Sequence, residues 1–72
     1  MIKPGIYLHY KGNKYKVLGI AKHSETLEEL IVYRTLYNNP LAKLWVRPKH
    51  IFEEMVQING KITPRFKYLG KK

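Results

Sequence analysis

The 72-residue sequence contains no cysteine, and its five acidic residues are all glutamates. Without cysteine, the chain forms no disulfide and no thiolate metal site, which is consistent with a reducing compartment. Its apolar runs fall far short of the ~20 residues that a membrane-spanning helix needs. The residues after Met1 also lack the apolar stretch of a signal peptide. We therefore expect a soluble cytoplasmic protein without membrane association.

Negative charge is scarce as well, because fourteen Lys and Arg residues oppose the five glutamates and give a net charge of +9. Such a charge attracts polyanions, including nucleic acid and acidic proteins. Most of the cations are lysines, however, and a lysine-rich surface also keeps a small protein soluble and protects its sheet edges. Arginine, whose planar fork reads phosphates and base edges, occurs only at Arg34, Arg47 and Arg65. The composition thus favours an anionic partner, with plain solubility as the alternative.

Long helical patterns are absent too, and the hydrophobic residues follow the two-residue period of strands. Turn signals separate these strands, for example Gly12 with Asn13 and Asn59 with Gly60. A chain of this length forms a single domain and buries roughly 60% of the surface that it exposes when unfolded. We predict one all-β domain over residues 1–72: a small SH3-like barrel of five to six short antiparallel strands with at most one short helical turn.

The alternation within each strand predicts which side chains form the core. In the third strand, residues 30–37, the even-numbered apolar positions are assigned to the core: Leu30, Val32 and Leu36. Tyr7 lies opposite the aliphatic face of its strand and is expected on the surface. Trp45 is expected in the core or half-buried, with a polar tip showing. A single turn of 3₁₀ helix is expected over residues 48–52, because proline favours a helix start.

Four polar residues stand in succession between the second and third strands: His23, Ser24, Glu25 and Thr26. Nucleophilic catalysis requires a serine hydroxyl within ~3 Å of a base. Consecutive residues of an extended chain point in opposite directions, so His23 and Ser24 do not form such a pair. We interpret the hydroxyls as turn and capping groups, with Thr26 and Glu29 forming a capping box. An alternative is that this pinned loop presents His23 and Glu25 to a ligand.

The histidines and glutamates match no recognised zinc spacing, and no metal ligand or cofactor is predicted. No residue is assigned a catalytic role. An enzyme built on His23 and Glu25 stays as a third hypothesis, for which the sequence offers no nucleophile geometry.

Three sets of motifs in fixed order resemble those of a bacterial family known only as domain of unknown function 1653. They comprise Pro4, Gly5, Tyr7, His9, Tyr10, Lys11, Gly12 and Tyr15, then Ala21, His23, Ser24, Glu25, Thr26 and Glu28, and downstream Val32, Tyr33, Leu36, Tyr37, Leu44, Trp45, Val46, Arg47, Pro48, Phe52, Gly60, Lys61, Pro64, Arg65 and Phe66. The resemblance covers nearly the whole chain. It implies an SH3-like small barrel and no activity, since none is assigned to the family. Two features depart from the family pattern. Leu8 replaces a usual basic residue, and the loop over residues 38–43 is longer than the family's usual short turn before the tryptophan.

Aromatic and basic side chains interleave on the faces opposite the main aliphatic residues, as in small barrels that stack bases and neutralise phosphates. Similar grooves hold proline-rich peptides. The candidate ligand-binding residues are His23, Ser24, Glu25, Thr26, Glu28, Tyr7, His9, Tyr33, Trp45, Arg47 and Arg65. The leading hypothesis is a non-enzymatic module whose loop over residues 23–28 and aromatic face bind an anionic partner. Nucleic acid is the leading partner, with an acidic protein as the other. The alternative is a protein or peptide interaction module that uses the same groove.

The two arginines among these candidates also have a structural interpretation. Arg47 and Arg65 are expected either to pair with Glu25 and Glu28 across the barrel or to bind an anion. The sequence leaves this choice open, together with the oligomeric state.

Overall fold

The computed structural model describes residues 2–71 and contains seven strands and one helical turn. In chain order the elements are β1 (Gly5–His9), β2 (Lys14–Lys22), β3 (Glu29–Thr35), β4 (Leu44–Pro48), α1 (Lys49–Phe52), β5 (Met55–Ile58), β6 (Lys61–Pro64) and β7 (Phe66–Gly70). Five strands form an antiparallel sheet in the order β4-β3-β2-β1-β7, and β5 pairs with β6 as a separate hairpin. The all-β prediction with one short helical turn is confirmed.

The strand count differs from the expected five or six because the last predicted strand is divided at Arg65 into β6 and β7. The five-stranded sheet has two edges, β4 and β7, so the part of the chain that the structure describes contains no closed barrel. The hairpin predicted at Asn59 and Gly60 connects β5 to β6, and both residues have the positive φ that such a tight turn requires, 50° and 79°.

Aromatic rings dominate the core. The buried apolar residues are Ile6, Tyr7, Val17, Ile31, Tyr33, Phe52 and Phe66. The single turn α1 follows Pro48 and brings Phe52 onto the sheet, where its ring stacks on Phe66 with centroids 4.1 Å apart and an angle of 3° between planes. Tyr7 meets Phe52 edge-on at 5.4 Å. Ring pairs in these geometries add stabilisation beyond the apolar area that they bury.

The predicted core face of the third strand is wrong. Ile31 and Tyr33 are buried, with 0% and 4% exposure, whereas Leu30 and Val32 are only half-buried. Leu36 is exposed and lies beyond the end of β3. Both faces of this strand carry apolar side chains. The buried face is the one that contacts the rings of Phe52 and Phe66.

The expected surface position of Tyr7 is also wrong, since Tyr7 is a core residue with 7% exposure. Its hydroxyl stays satisfied inside because it donates to the Lys3 carbonyl at 2.8 Å and accepts from the Lys3 amide at 3.1 Å. A tyrosine with a local backbone partner can be buried at little cost. We call the sheet face that carries Tyr7, Ile31 and Tyr33 the inner face, and the opposite face the outer face. Within residues 2–71, no helix is long and apolar enough to cross a membrane.

Candidate binding site

Beyond the core, the inner face opens into a hollow beside the loop between β3 and β4. Six side chains line it: Tyr15, Tyr33, Tyr37, Asn39, Trp45 and Arg47. Its volume is about 160 Å³. We call it the aromatic hollow. Three of these residues were candidates from the sequence, and the remaining three, Tyr15, Tyr37 and Asn39, were not.

The sheet register explains why these residues meet. Tyr33 of β3 and Trp45 of β4 are direct cross-strand partners, and Arg47 follows Trp45 by two residues on the same face. Tyr15 of β2 joins them through an edge-on contact with Tyr33, with ring centroids 5.4 Å apart. Three neighbouring strands therefore contribute to one aromatic wall. Strand alternation was the one signal that could have pointed to Tyr15, since Tyr15 and the buried Val17 lie on the same face of β2.

Arg47 supplies the only positive charge of the hollow's lining. Its Nε donates to the Tyr33 hydroxyl at 3.3 Å, and its Cζ lies 5.3 Å from the centre of the Phe66 ring. Within residues 2–71 this is the one hydrogen bond that the Arg47 side chain makes, although a guanidinium has five N–H donors. The terminal amino groups thus retain donors for a ligand.

Hydroxyl and amide groups also line the hollow. The Tyr15 and Tyr37 hydroxyls share a hydrogen bond at 3.1 Å, and Asn39 Nδ2 donates to the Tyr37 hydroxyl at 3.3 Å. Burial, together with the Tyr37 hydrogen bond, raises the pKa of Tyr15 to about 12. The Tyr15 hydroxyl is therefore uncharged near neutral pH.

The loop over residues 38–43 contributes Asn39 to the lining of the hollow. Asn39 Oδ1 accepts from the Leu41 amide at 2.9 Å, and Trp45 Nε1 donates to the Ala42 carbonyl at 3.2 Å. The indole of Trp45 is half-buried. Its Nε1 is bonded to the loop, and its ring contributes to the hollow.

His9 lies beside the hollow without lining it. Its ring meets Phe66 at 4.9 Å and Tyr15 at 6.2 Å, and its Nδ1 accepts from the Lys11 amide at 3.1 Å. Burial lowers the pKa of His9, and the positive charges of Arg47, Arg65 and Lys11 lower it further. The neutral imidazole is thus favoured in a region of positive potential.

The polar loop between β2 and β3 has a structural explanation. His23 Nδ1 accepts from the Glu25 amide at 3.1 Å and from the Thr26 amide at 3.4 Å, and the Thr26 hydroxyl accepts from the Glu28 amide at 3.2 Å. The imidazole therefore acts as the cap of this turn, while Ser24 is exposed. The predicted capping box is wrong because residues 24–26 form a turn and not a helix.

The predicted pairing of the two arginines with Glu25 and Glu28 is wrong as well. Glu28 Oε2 lies 3.6 Å from Nδ1 of His50, which belongs to α1. Arg65 forms an ion pair with Glu54 instead, in a segment where its amide also donates to the Glu54 carbonyl at 3.0 Å. Arg47 is held on the inner face by Tyr33. Each of these charged groups thus bonds to a residue of another segment.

The candidate residues consequently divide into separate groups. Tyr33, Trp45 and Arg47 line the hollow with His9 beside them, Tyr7 belongs to the core, and Arg65 lies near the Tyr10 ring. The members of the polar loop are His23, Ser24, Glu25, Thr26 and Glu28. Among residues 2–71, no hydrogen bond, ion pair or ring contact joins that loop to the hollow. The described residues also contain no group of three or more potential metal ligands.

Fold and site together define a small all-β domain with an aromatic hollow on the inner face of its sheet. The sequence matches the model of a family described as "Protein of unknown function (DUF1653)" over residues 5–68, and the chain belongs to this family. A crystal structure of a DUF1653 protein from Bordetella bronchiseptica is similar, with 38% sequence identity and a TM-score of 0.93 over 99% of this chain and 91% of that chain. No protein with a curated description matches this sequence. The resemblance drawn from the motifs is thereby confirmed.

Proposed function

We propose that the protein is a non-enzymatic binding module whose aromatic hollow takes one base and an adjacent phosphate of a single-stranded nucleic acid. The observation that carries this proposal is the position of Arg47, a partly bonded guanidinium surrounded by the rings of Tyr15, Tyr33 and Trp45. Aromatic side chains stack bases of any sequence, at ~1–3 kcal/mol per base, and arginine pairs with phosphate through parallel N–H bonds.

The size of the hollow favours a single strand over a duplex. Its volume of about 160 Å³ admits a single base and leaves no room for a base pair. A base within a duplex has both ring faces covered by its neighbours, whereas a single strand can turn a base outwards.

The charge distribution supports an anionic ligand. Five glutamates oppose fourteen cations, and none of the five lines the hollow. Three of them, Glu28, Glu29 and Glu54, are instead engaged with His50, Lys49 and Arg65. The surface lysines attract the phosphates of a strand and release counterions, which makes this attraction dependent on salt.

The lining suits binding rather than proton transfer. It consists of ring faces, tyrosine hydroxyls, one amide and one guanidinium. A general base or acid works best with a pKa near the operating pH, and the pKa of Tyr15 is raised to about 12. Arginine keeps its proton at any physiological pH.

Trp45 allows a direct test because it is the single tryptophan of the chain and lines the hollow. Its fluorescence would be followed during titration with short single-stranded DNA and RNA, with heparin as a polyanion that has no rings. Each titration would be run at low and near-physiological salt. We expect nucleic acid to quench the fluorescence of Trp45 and to bind more weakly at high salt. Heparin is expected to cause no quenching.

The matched pair of variants is Arg47→Lys and Arg34→Lys, which both keep the charge. Arg34 is exposed on the outer face, where it pairs in register with Lys16 and Leu44. We expect Arg47→Lys to weaken oligonucleotide binding about tenfold and Arg34→Lys to leave it unchanged. Equal effects of the two variants, or quenching by heparin, would refute the proposal. Salt-insensitive quenching by a proline-rich peptide would instead support the alternative of a peptide groove.

A further inference from the structure

The outer face of the sheet exposes a row of aliphatic side chains that nothing in the described chain covers. Leu18, Leu44 and Val46 have exposures of 46%, 61% and 58%. Leu44 and Val46 alternate with Trp45, which lies on the inner face, and Val46 is the cross-strand partner of Val32. Exposed apolar residues that are contiguous on a sheet mark an interaction surface more often than scattered ones do.

Cationic side chains are set among these residues. Arg34 of β3 pairs in register with Leu44 of β4 on one side and with Lys16 of β2 on the other. A groove of about 480 Å³ results, which is lined by Leu18, Arg34, Thr35, Tyr37, Lys43 and Leu44. We call it the outer groove. Its volume is three times that of the aromatic hollow, so it accepts several side chains rather than a single group.

Carboxylates are missing from this surface. The five strands of the sheet contain only one glutamate, Glu29, at the first position of β3. Its Oε1 lies 3.4 Å from Lys49 Nζ, next to α1. The positive charge of the outer groove is thus not balanced by neighbours in the described sheet, and an acidic partner is electrostatically complementary to it.

The scarcity of aromatic residues on this surface restricts the kind of partner. The aromatic residues of the sheet belong to its inner side, where they form the core or pack against it: Tyr7, Tyr15, Tyr33, Trp45, Phe66 and Tyr68. The one ring in the lining of the outer groove is that of Tyr37, whose hydroxyl is bonded to Tyr15. The strands add no further ring on the outer face for stacking of bases, nor any of the Trp and Tyr side chains that typically anchor proteins at a membrane interface. A second copy of this chain would bring Lys16 and Arg34 against identical cations, which is unfavourable.

We propose that the outer groove docks an acidic amphipathic segment of a partner protein. The apolar side chains of that segment contact Leu18, Leu44 and Val46, and its carboxylates pair with the cations around them. Burial of the aliphatic side chains supplies most of the affinity, while the ion pairs at the rim mainly raise the association rate. The outer groove shares one lining residue, Tyr37, with the aromatic hollow, while Leu18, Leu44 and Val46 do not line the hollow.

The probe for this proposal is a synthetic helical peptide with leucines at positions i, i+3, i+4 and i+7 and glutamates on its other face. A scrambled peptide of the same composition keeps the charge and loses the apolar stripe. Amide NMR titration of the labelled protein would locate the contact, and calorimetry would give the affinity. We expect shifts on β3 and β4 with the amphipathic peptide and at least tenfold weaker binding of the scrambled one.

Two sets of variants test the contact, and both change exposed side chains. Leu44→Thr combined with Val46→Thr removes apolar surface while keeping strand propensity, and Ile62→Thr on the separate β5–β6 hairpin is its matched control, since Ile62 is 67% exposed. Arg34→Glu combined with Lys43→Glu reverses the charge instead. We expect about tenfold weaker binding with either pair and no change with the control.

Several results would overturn the proposal. One is equal affinity for the amphipathic and scrambled peptides, and another is unchanged affinity in both double variants when their amide spectra show an intact fold. Binding to phosphatidylglycerol vesicles that is lost in the Leu44/Val46 variant, or self-association of the protein through this face in size-exclusion chromatography, would identify a different occupant.

Discussion

Arg47 donates a hydrogen bond from its Nε to the hydroxyl of Tyr33 on the neighbouring strand, at a distance of 3.3 Å. The same guanidinium lies over the ring of Phe66, 5.3 Å from its centre. Tyr33 and Phe66 are both buried core residues, whereas Arg47 is half-buried and lines the aromatic hollow. The cation of the proposed site is thus anchored to the core, which reduces the entropy that a ligand must remove on binding.

Replacement of Arg47 by lysine is expected to lower the free energy of unfolding by about 1 kcal/mol. Lysine keeps the charge but lacks the planar group that bonds to Tyr33 and lies over Phe66. Urea denaturation measures the change. The exposed Arg34→Lys variant is the matched control and is expected to stay within about 0.5 kcal/mol of the wild type. Equal stabilities of the two variants would show that the Tyr33 contact is not maintained in solution.

Tyr15 is expected to make stability depend on pH in the alkaline range. Burial raises the pKa of Tyr15 to about 12 in the folded protein, whereas an unfolded tyrosine ionises near pH 10. Between these values the unfolded chain loses this proton and the folded protein keeps it. The contribution of Tyr15 to the free energy of unfolding is therefore complete below pH ~10 and is lost as pH rises to ~12. Chemical denaturation at a series of pH values, compared with Tyr15→Phe, measures this contribution.

The Tyr37→Phe variant separates the two main causes of this shift. It removes the shared hydrogen bond, which spans 3.1 Å, but leaves much of the burial. We expect the pKa of Tyr15 to decrease and to remain above its ordinary value, because burial is the larger cause. Ultraviolet absorbance of tyrosinate follows the titration, with Tyr10→Phe as a control at an exposed position. An unchanged titration in Tyr37→Phe would mean that the two hydroxyls do not bond.

The order of strands and turns along the chain was largely predictable, because turns depend on local chemistry. Asn59 and Gly60 adopt positive φ, and Pro48 directly precedes the one helical turn, as the sequence indicated. The buried face of β3 was not predictable in the same way. A two-residue period shows that Ile31 and Tyr33 share a face, but Leu30 and Val32 are equally apolar. Distant parts of the chain, Phe52 and Phe66, determine which of the two faces is covered.

The site was predicted in part for the same reason. Tyr33, Trp45 and Arg47 share a parity on adjacent strands, so the alternation brought them together correctly. Ion pairs depend on distances between segments that no local pattern supplies, and the pairing of Arg65 with Glu54 follows from the backbone bridge between these two residues. The cap at His23 was missed because Ser, Thr, Asp and Asn are the usual capping residues.

The polar loop is expected to respond to mutation as a structural turn. His23→Ala removes the acceptor of the Glu25 and Thr26 amides and should cost about 1 kcal/mol of unfolding free energy. His23→Asn provides a side-chain oxygen for the same amides and should restore much of the loss. Thermal denaturation measures the stabilities, and Ser24→Ala is the neighbouring control, since Ser24 is exposed.

The loop variants also distinguish a structural turn from a contact site. Oligonucleotide binding, read from Trp45 fluorescence, is expected to be unaffected by His23→Ala, because no contact among residues 2–71 joins the loop to the hollow. A variant that keeps its stability but loses binding would indicate that His23 and Glu25 contact the ligand.

The start of β1 is expected to tolerate no side chain at Gly5. Its φ of 143° favours glycine, and a Cβ there would collide with the Gly70 carbonyl of β7 and lie 2.9 Å from Cε1 of Tyr68. Gly5→Ala should therefore destabilise the protein by about 2 kcal/mol or more, which lowers the melting temperature by roughly 10 °C. Gly19 of β2 is the matched control, since it lacks a positive φ and a Cβ there meets no atom within 4 Å. Gly19→Ala is expected to stay within about 0.5 kcal/mol of the wild type. If calorimetry found the two variants equally stable, β1 and β7 would not approach each other as closely as the pairing of Ile6 with Gly70 requires.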